Sequence, residues 1–145
     1  MPERTSTIVE KTYRSAATPQ AVFAVLTDQE AIAACCQPLE RVRIDAKSGG
    51  RVQFTDLEFG RVIGRIGEFE PGLRLSYRFV QNWPSVLTFD FFADGEGTRI
   101  DVIHSGFAGL RQGRPDLDLT FAERWDAWMA GLLERVEANV APTRA

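Results

Sequence analysis

Between Leu39 and Phe107 the sequence carries six short apolar or alternating runs: LERVRID, GRVQFT, FGRVIGRIGEFE, LRLSYRFV, SVLTFDFF and TRIDVIHS. Only KSGG, TDLE, EPG, QNWP and DGEG stand between them. Connections this short join antiparallel neighbours, because a parallel pair needs a crossover of roughly a dozen residues. An antiparallel meander is therefore the frame of the fold. An earlier run, STIVEKTYRSA, alternates with Val9 and Tyr13 on one face and adds a seventh strand.

A sheet with one apolar face needs a cover. DLDLTFAERWDAWMAGLLERVEANV supplies it, with Phe121, Trp125, Trp128, Met129, Leu132 and Val136 three or four apart and Glu123, Asp126, Arg135 and Glu137 between them. Thr120 and Glu123 have capping-box spacing, and Pro115 followed by Asp116 offers a start one turn earlier. Two shorter helices fall between the first and second strands. Thr18 and Pro19 form an N-cap and first turn ahead of Val22, Phe23 and Leu26, and a second helix starts at Asp28, runs through AIAACC and ends before Pro38.

Charge assigns the strand faces. In LRLSYRFV, Leu73, Leu75, Tyr77 and Phe79 share one side, opposite Arg74, Ser76 and Arg78; in SVLTFDFF, Leu87, Phe89 and Phe91 oppose Thr88 and Asp90. In the last strand Ile100 and Val102 face inward, Arg99 and Asp101 outward, and the same count turns His104, the single histidine, inward. The outer face is expected to set arginines beside aspartates. FGRVIGRIGEFE breaks the alternation, since Ile66 and Phe69 lie three apart. Gly67 between them predicts a bulge that turns Glu68 outward.

The 145 residues match a single domain over 1–145, with residues 141–145 a frayed tail. A net charge of -3 gives no basic field for nucleic acid, and no run reaches the roughly 20 apolar residues of a membrane span. The charged opening MPERTSTIVEKTYR has no secretory apolar core, so a cytoplasmic location is expected. Cys35 and Cys36, adjacent in sequence, cannot close a stabilising loop, and with one distant histidine they fall short of a zinc site. Reduced thiols, no metal and no cofactor are expected.

Strand, two small helices, six antiparallel strands and one long closing helix: this order resembles the START-like (SRPBCC, helix-grip, Bet v 1-like) superfamily. Within it the chain is similar to the AHSA1-like branch, related to the C-terminal domain of the activator of Hsp90 ATPase. ATPQAVFAVLTDQEAI resembles that branch's entry helix, SGGRVQF its glycine-paired hairpin and GRIGEFEPGLRLSYRF its fourth and fifth strands. GTRIDVIHSGF resembles its last strand and ERWDAWMAGLLERV its closing helix. The resemblance implies an α+β helix-grip fold, a seven-stranded curved antiparallel sheet wrapped around a long C-terminal helix. It also implies a cavity between the two, which in many members takes small apolar molecules. The branch usually has one or two tryptophans where this chain has AACCQP, so Cys35 and Cys36 either reshape the pocket or fill space as small buried groups.

The candidate ligand-binding residues are Phe54, Tyr77, Phe79, Phe89, Phe91 and His104 on the sheet and Trp125 and Trp128 on the helix. The same aromatics are what any packed core requires. Trp83 is expected at the rim or surface. His104 and Cys36 are the candidate catalytic groups, but catalysis needs a partner within hydrogen-bond reach, and Ser105 points to the opposite face from His104. His104 also matches a histidine often present in the family's last strand, which suits a structural role. No P-loop, dinucleotide fingerprint, HExxH or GxSxG occurs. The leading expectation is a protein that binds a small apolar molecule. A cyclase- or hydrolase-type enzyme comes second and a chaperone-associated module third. Hsp90 is not expected as a partner, because the resemblance does not include the additional N-terminal domain of the Hsp90 activators. Neither nucleic acid nor membrane is expected, and monomer and homodimer both stay open.

Overall fold

The computed structural model describes residues 8–80, 84–106 and 117–138. Strand β1 (Ile8–Ser15) is followed by helices α1 (Pro19–Leu26) and α2 (Gln29–Cys35). Then come β2 (Leu39–Ile44), β3 (Arg51–Asp56), β4 (Gly60–Glu70), β5 (Arg74–Phe79), β6 (Ser85–Asp94) and β7 (Gly97–Ser105), before helix α3 (Leu117–Glu137). One sheet contains all seven strands in the order β1-β7-β6-β5-β4-β3-β2, each neighbouring pair antiparallel. This is the expected α+β helix-grip fold: β2 to β7 run as a meander, and β1 adds to its far side.

Local chemistry sets the helix starts. Thr18 accepts a hydrogen bond from the Ala21 amide and Pro19 occupies the first turn of α1; Asp28 caps α2 by accepting from the amides of Glu30 and Ala31. The α3 start differs from the capping-box expectation. The helix already runs at Leu117, so Thr120 lies inside it and cannot be its N-cap. Pro115 and Asp116, the QNW part of the QNWP turn with Trp83, Gly109, Gly113 and the APTRA tail lie outside the described residues.

The β4 bulge is present. Pairing with β5 shifts between Ile66 and Phe69, and Glu68 turns outward to Arg74 at 3.1 Å. A Cβ on Gly67 would stand 2.7 Å from Ser76 Oγ, the atom that accepts the Glu68 amide at 2.8 Å, so glycine leaves room for that contact. Leu73 departs from its assigned face. Alternation holds only where the chain is extended, and Leu73 belongs to the turn before β5, where it is 63% exposed. Leu75, Tyr77 and Phe79 do face inward, as do Leu87, Phe89, Phe91, Ile100, Val102 and His104.

Helix α3 lays Phe121, Trp125, Trp128, Met129, Leu132 and Val136 on that inner face. Burying side chains of this size contributes about 1.5–3 kcal/mol each before conformational costs. Polar contacts set its register. Asp126 accepts from Tyr13 Oη at 2.8 Å and Lys11 Nζ at 3.1 Å, and Glu137 accepts from Ser15 Oγ at 2.8 Å. Nearer the N-terminal end of α3, Arg124 reaches Asp56 at 2.7 Å and Glu58 at 2.8 Å. Asp56 is fully buried at the end of β3 and also accepts the Glu58 and Phe59 amides, so one carboxylate shapes the β3–β4 turn and anchors the helix to it.

Candidate functional site

An apolar cavity of about 50 Å³ lies between the sheet, α2 and α3. Phe54, Tyr77, Phe79 and Phe89 contribute to its wall from the strands and Trp125 and Trp128 from the helix. Two other candidate residues sit elsewhere. Phe91 packs against Phe23, ring centroids 5.6 Å apart, and His104 lies behind Trp125. The rest of the wall includes Leu26, Ile32, Cys36, Leu39, Val42 and Ile44, which came from the two small helices and the edge strand. Strand alternation carries no signal for Leu26, Ile32 and Cys36, which belong to α1, α2 and the α2 C-cap, and on β2 it is broken between Leu39 and Val42 by the register shift between Glu40 and Arg43.

The wall presents no polar surface, although three of its rings carry polar tips. Tyr77 Oη donates to the Leu26 carbonyl at 2.9 Å, Trp128 Nε1 to the Gln37 carbonyl at 2.7 Å and Trp125 Nε1 to His104 Nδ1 at 3.1 Å. Each tip is satisfied away from the space, as a buried polar group must be. Burial also raises the Tyr77 phenol far above its usual range, keeping it a donor. Ile32 and Ile44 are only half-buried and mark the mouth. There Gln29 Oε1 accepts the Ile44 amide at 3.0 Å, tying α2 to β2.

His104 is fully buried, and its hydrogen bonds with Trp125 and Ser85 were not legible in the sequence. Indole nitrogen only donates, so Nδ1 receives the Trp125 hydrogen and the neutral ring carries its own proton on Nε2. Nε2 then donates to Ser85 Oγ at 3.0 Å. Ser85 is the nearest thing to a nucleophile beside the ring, and this tautomer gives it a hydrogen bond without removing its proton. Desolvation lowers the His104 pKa to about 3, so the ring stays neutral.

The two cysteines point different ways. Cys36 borders the cavity, and burial pushes its thiol well above the ordinary range, which removes the thiolate that nucleophilic chemistry needs. Cys35 packs toward α3, where a Cβ on Gly131 would lie 3.4 Å from its own Cβ. Among the described residues no three His, Cys, Asp or Glu side chains are grouped to hold a metal ion. Among them also, no helix is long and apolar enough to cross a membrane.

A curved seven-stranded antiparallel sheet closed by a long helix, with an apolar space at their interface, defines a helix-grip protein of the START-like (SRPBCC) kind. Residues 16–137 match the family of the Activator of Hsp90 ATPase homolog 1-like protein, and the chain belongs to that family. Solved structures share its fold. TTHA0849 from Thermus thermophilus is 22% identical with a TM-score of 0.74, over 92% of this chain and 99% of that one. The Aha1 dimer from Colwellia psychrerythraea is 11% identical with a TM-score of 0.74, over 94% and 100%. PFC0360w, an HSP90 activator from Plasmodium falciparum, is 15% identical with a TM-score of 0.66, over 92% and 95%. Identities this low speak for the fold alone. No curated protein matches the sequence.

Proposed function

We propose that the chain binds a small apolar molecule between the sheet and α3. The observation that carries this reading is a cavity wall without polar surface, whose nearby polar tips are hydrogen-bonded elsewhere. A solid core would need no such space, and a site built to recognise a polar ligand would aim at least one donor or acceptor into it. The 50 Å³ present is well below the ~300–1,000 Å³ of drug-sized sites, so a ligand enlarges it by displacing the half-buried Ile32 and Ile44 at the mouth. The groups a cyclase or hydrolase would use, His104 and Cys36, are occupied by hydrogen bonds or held as a neutral thiol, so binding is favoured over turnover.

Native mass spectrometry of freshly purified protein, with denaturing extraction, tests the reading alongside titration with toluene followed by tryptophan fluorescence and Tm. Either a stoichiometric apolar compound or saturable binding of toluene that raises Tm is expected. A Val52→Phe variant, which fills the cavity from its wall, should abolish both. A clean apo mass together with no response to toluene would overturn the proposal.

A further inference from the structure

This acidic chain carries a strongly basic face. On the outer surface of the sheet Arg51 of β3 stands directly opposite Arg65 of β4, and Arg65 directly opposite Arg78 of β5. All three are exposed. With strands about 4.8 Å apart, the row spans about 10 Å. Like charges placed opposite one another destabilise a sheet, so nothing in the fold itself favours this arrangement.

Arg41, Arg43 and Arg61 extend the basic surface toward the β2 edge. Arg41 has φ 55°, a left-handed conformation rare in a residue with a Cβ, at the point where β2 shifts register against β3 between Glu40 and Arg43. Three open clefts follow the face. One of about 530 Å³ is walled in part by Arg41, Arg43 and Arg61; one of about 250 Å³ by Arg43 and Arg51 together with Asp45; one of about 350 Å³ by Arg51, Arg65 and Arg78. Setting these six arginines apart from the 17 basic residues leaves 11 against 20 acidic ones, so the remainder of the molecule carries -9.

Among the described residues no carboxylate lies within ion-pair distance of Arg41, Arg43, Arg51 or Arg78. Several outer-face acids are engaged elsewhere: Glu68 and Asp90 hold Arg74 at 3.1 and 3.3 Å, Asp101 holds Arg99 at 3.3 Å, and Asp45 holds Lys47 at 3.5 Å.

We propose that this face docks an acidic segment of a partner protein. Charge complementarity selects an anion, and the surroundings of the row select a protein. Half-buried Ile63 and Val86 and exposed Val80 stand among the arginines, the mixture of guanidinium and aliphatic surface that protein interfaces use. Carboxylates on one face of a helix recur with Cβ atoms roughly 5–6 Å apart, close to the spacing of the row. A single-stranded nucleic acid would want exposed rings to stack on. Among the described residues the exposed aromatic of this surface, Phe92, is instead covered by Arg99, 4.2 Å from its centroid. The -9 on the remainder of the molecule also opposes a long polyanion, whereas a short acidic segment engages within the Debye length of about 8 Å.

The test uses a fluorescein-labelled helical peptide of Glu, Ala and Leu with glutamates at i and i+4, its Gln counterpart, vesicles containing phosphatidylserine, and a single-stranded oligonucleotide. The Glu peptide should bind at least tenfold tighter than the Gln peptide and weaken as salt rises. The double variant Arg51→Gln/Arg78→Gln should lose at least tenfold in affinity with its circular dichroism and Tm maintained or improved, while Arg14→Gln/Arg74→Gln should bind nearly as the parent does. Equal binding of the two peptides, or an undiminished affinity in Arg51→Gln/Arg78→Gln, overturns the proposal. So does tighter, row-dependent binding of the vesicles or the oligonucleotide, which would reassign the face.

Discussion

His104 makes the fold pH-sensitive in a way that can be measured cleanly, because it is the only histidine. Above pH 6.5 the ring is neutral in both folded and unfolded chains and contributes no slope. As pH falls through the unfolded value of 6.5, the unfolded chain takes up a proton that the folded chain refuses until about pH 3. The unfolded state binds more protons across that window, so stability is lost at about 1.4 kcal/mol per unit. Between pH 7.5 and 5 the loss from this one group is about 2 kcal/mol, a large share of the ~5–15 kcal/mol of an ordinary domain. Urea unfolding at several pH values in this range should show the slope, and His104→Phe should remove the histidine part of it while lowering stability throughout, since Ser85 and the Trp125 indole lose a partner. Should that variant not fold, the ¹⁵N spectrum of the parent still decides, with a proton on Nε2, none on Nδ1 and no titration between pH 8 and 5. A midpoint inside that range, or a proton on Nδ1, would refute the reasoning from burial and the indole donor.

Removing Arg124 withdraws a guanidinium 2.7 Å from the buried Asp56 carboxylate, so Arg124→Met should cost about 3 kcal/mol, or roughly 6–12 °C in Tm, with Asp56→Asn added to it restoring part of the loss. Cys36 should resist iodoacetamide at pH 8 in the folded protein and react once urea unfolds it, as peptide mass mapping can show; rapid labelling in the native state would contradict a raised thiol pKa. Neutralising one end of the arginine row with Arg78→Thr should stabilise the protein by about 0.2–1 kcal/mol by relieving the charge opposite Arg65, and a measured destabilisation would show that the row is not repulsive.

What the sequence made legible followed periodicity and caps. Alternation placed Tyr77, Phe79, Phe89 and His104 inward, the three-residue gap from Ile66 to Phe69 located the bulge, and Thr18 and Asp28 announced their helices. What stayed hidden depended on register between distant segments. Face alone sets Arg78 among aspartates, and Arg74 does meet Asp90, yet Arg78 stands opposite Arg65 because the β4 bulge sets the pairing beyond it. The Ser85–His104–Trp125 chain joins two strands and a helix, and no local pattern announces a hydrogen bond across such separations. The resemblance sets Cys36 at the cavity border, whereas the meeting of Ile32 and Ile44 at the mouth carries no signal, because neither strand nor helix period describes the gap between α2 and the sheet edge.

The polar tips around the cavity bear on selectivity as much as on stability. Tyr77, Trp125 and Trp128 spend their hydrogen bonds on Leu26, His104 and Gln37, so a ligand held against their rings meets shape and dispersion but no donor. Such a wall separates ligands differing by one methylene by only about 1–3 kcal/mol, and it rejects an added hydroxyl by a factor on the order of 100. Discrimination then rests on how far Ile32 and Ile44 can part while the Gln29 link to the Ile44 amide holds. Cutting that link with Gln29→Ala should widen the range of apolar compounds that raise Tm before it alters the affinity for any one of them. An unchanged range would place the entrance somewhere other than between α2 and β2.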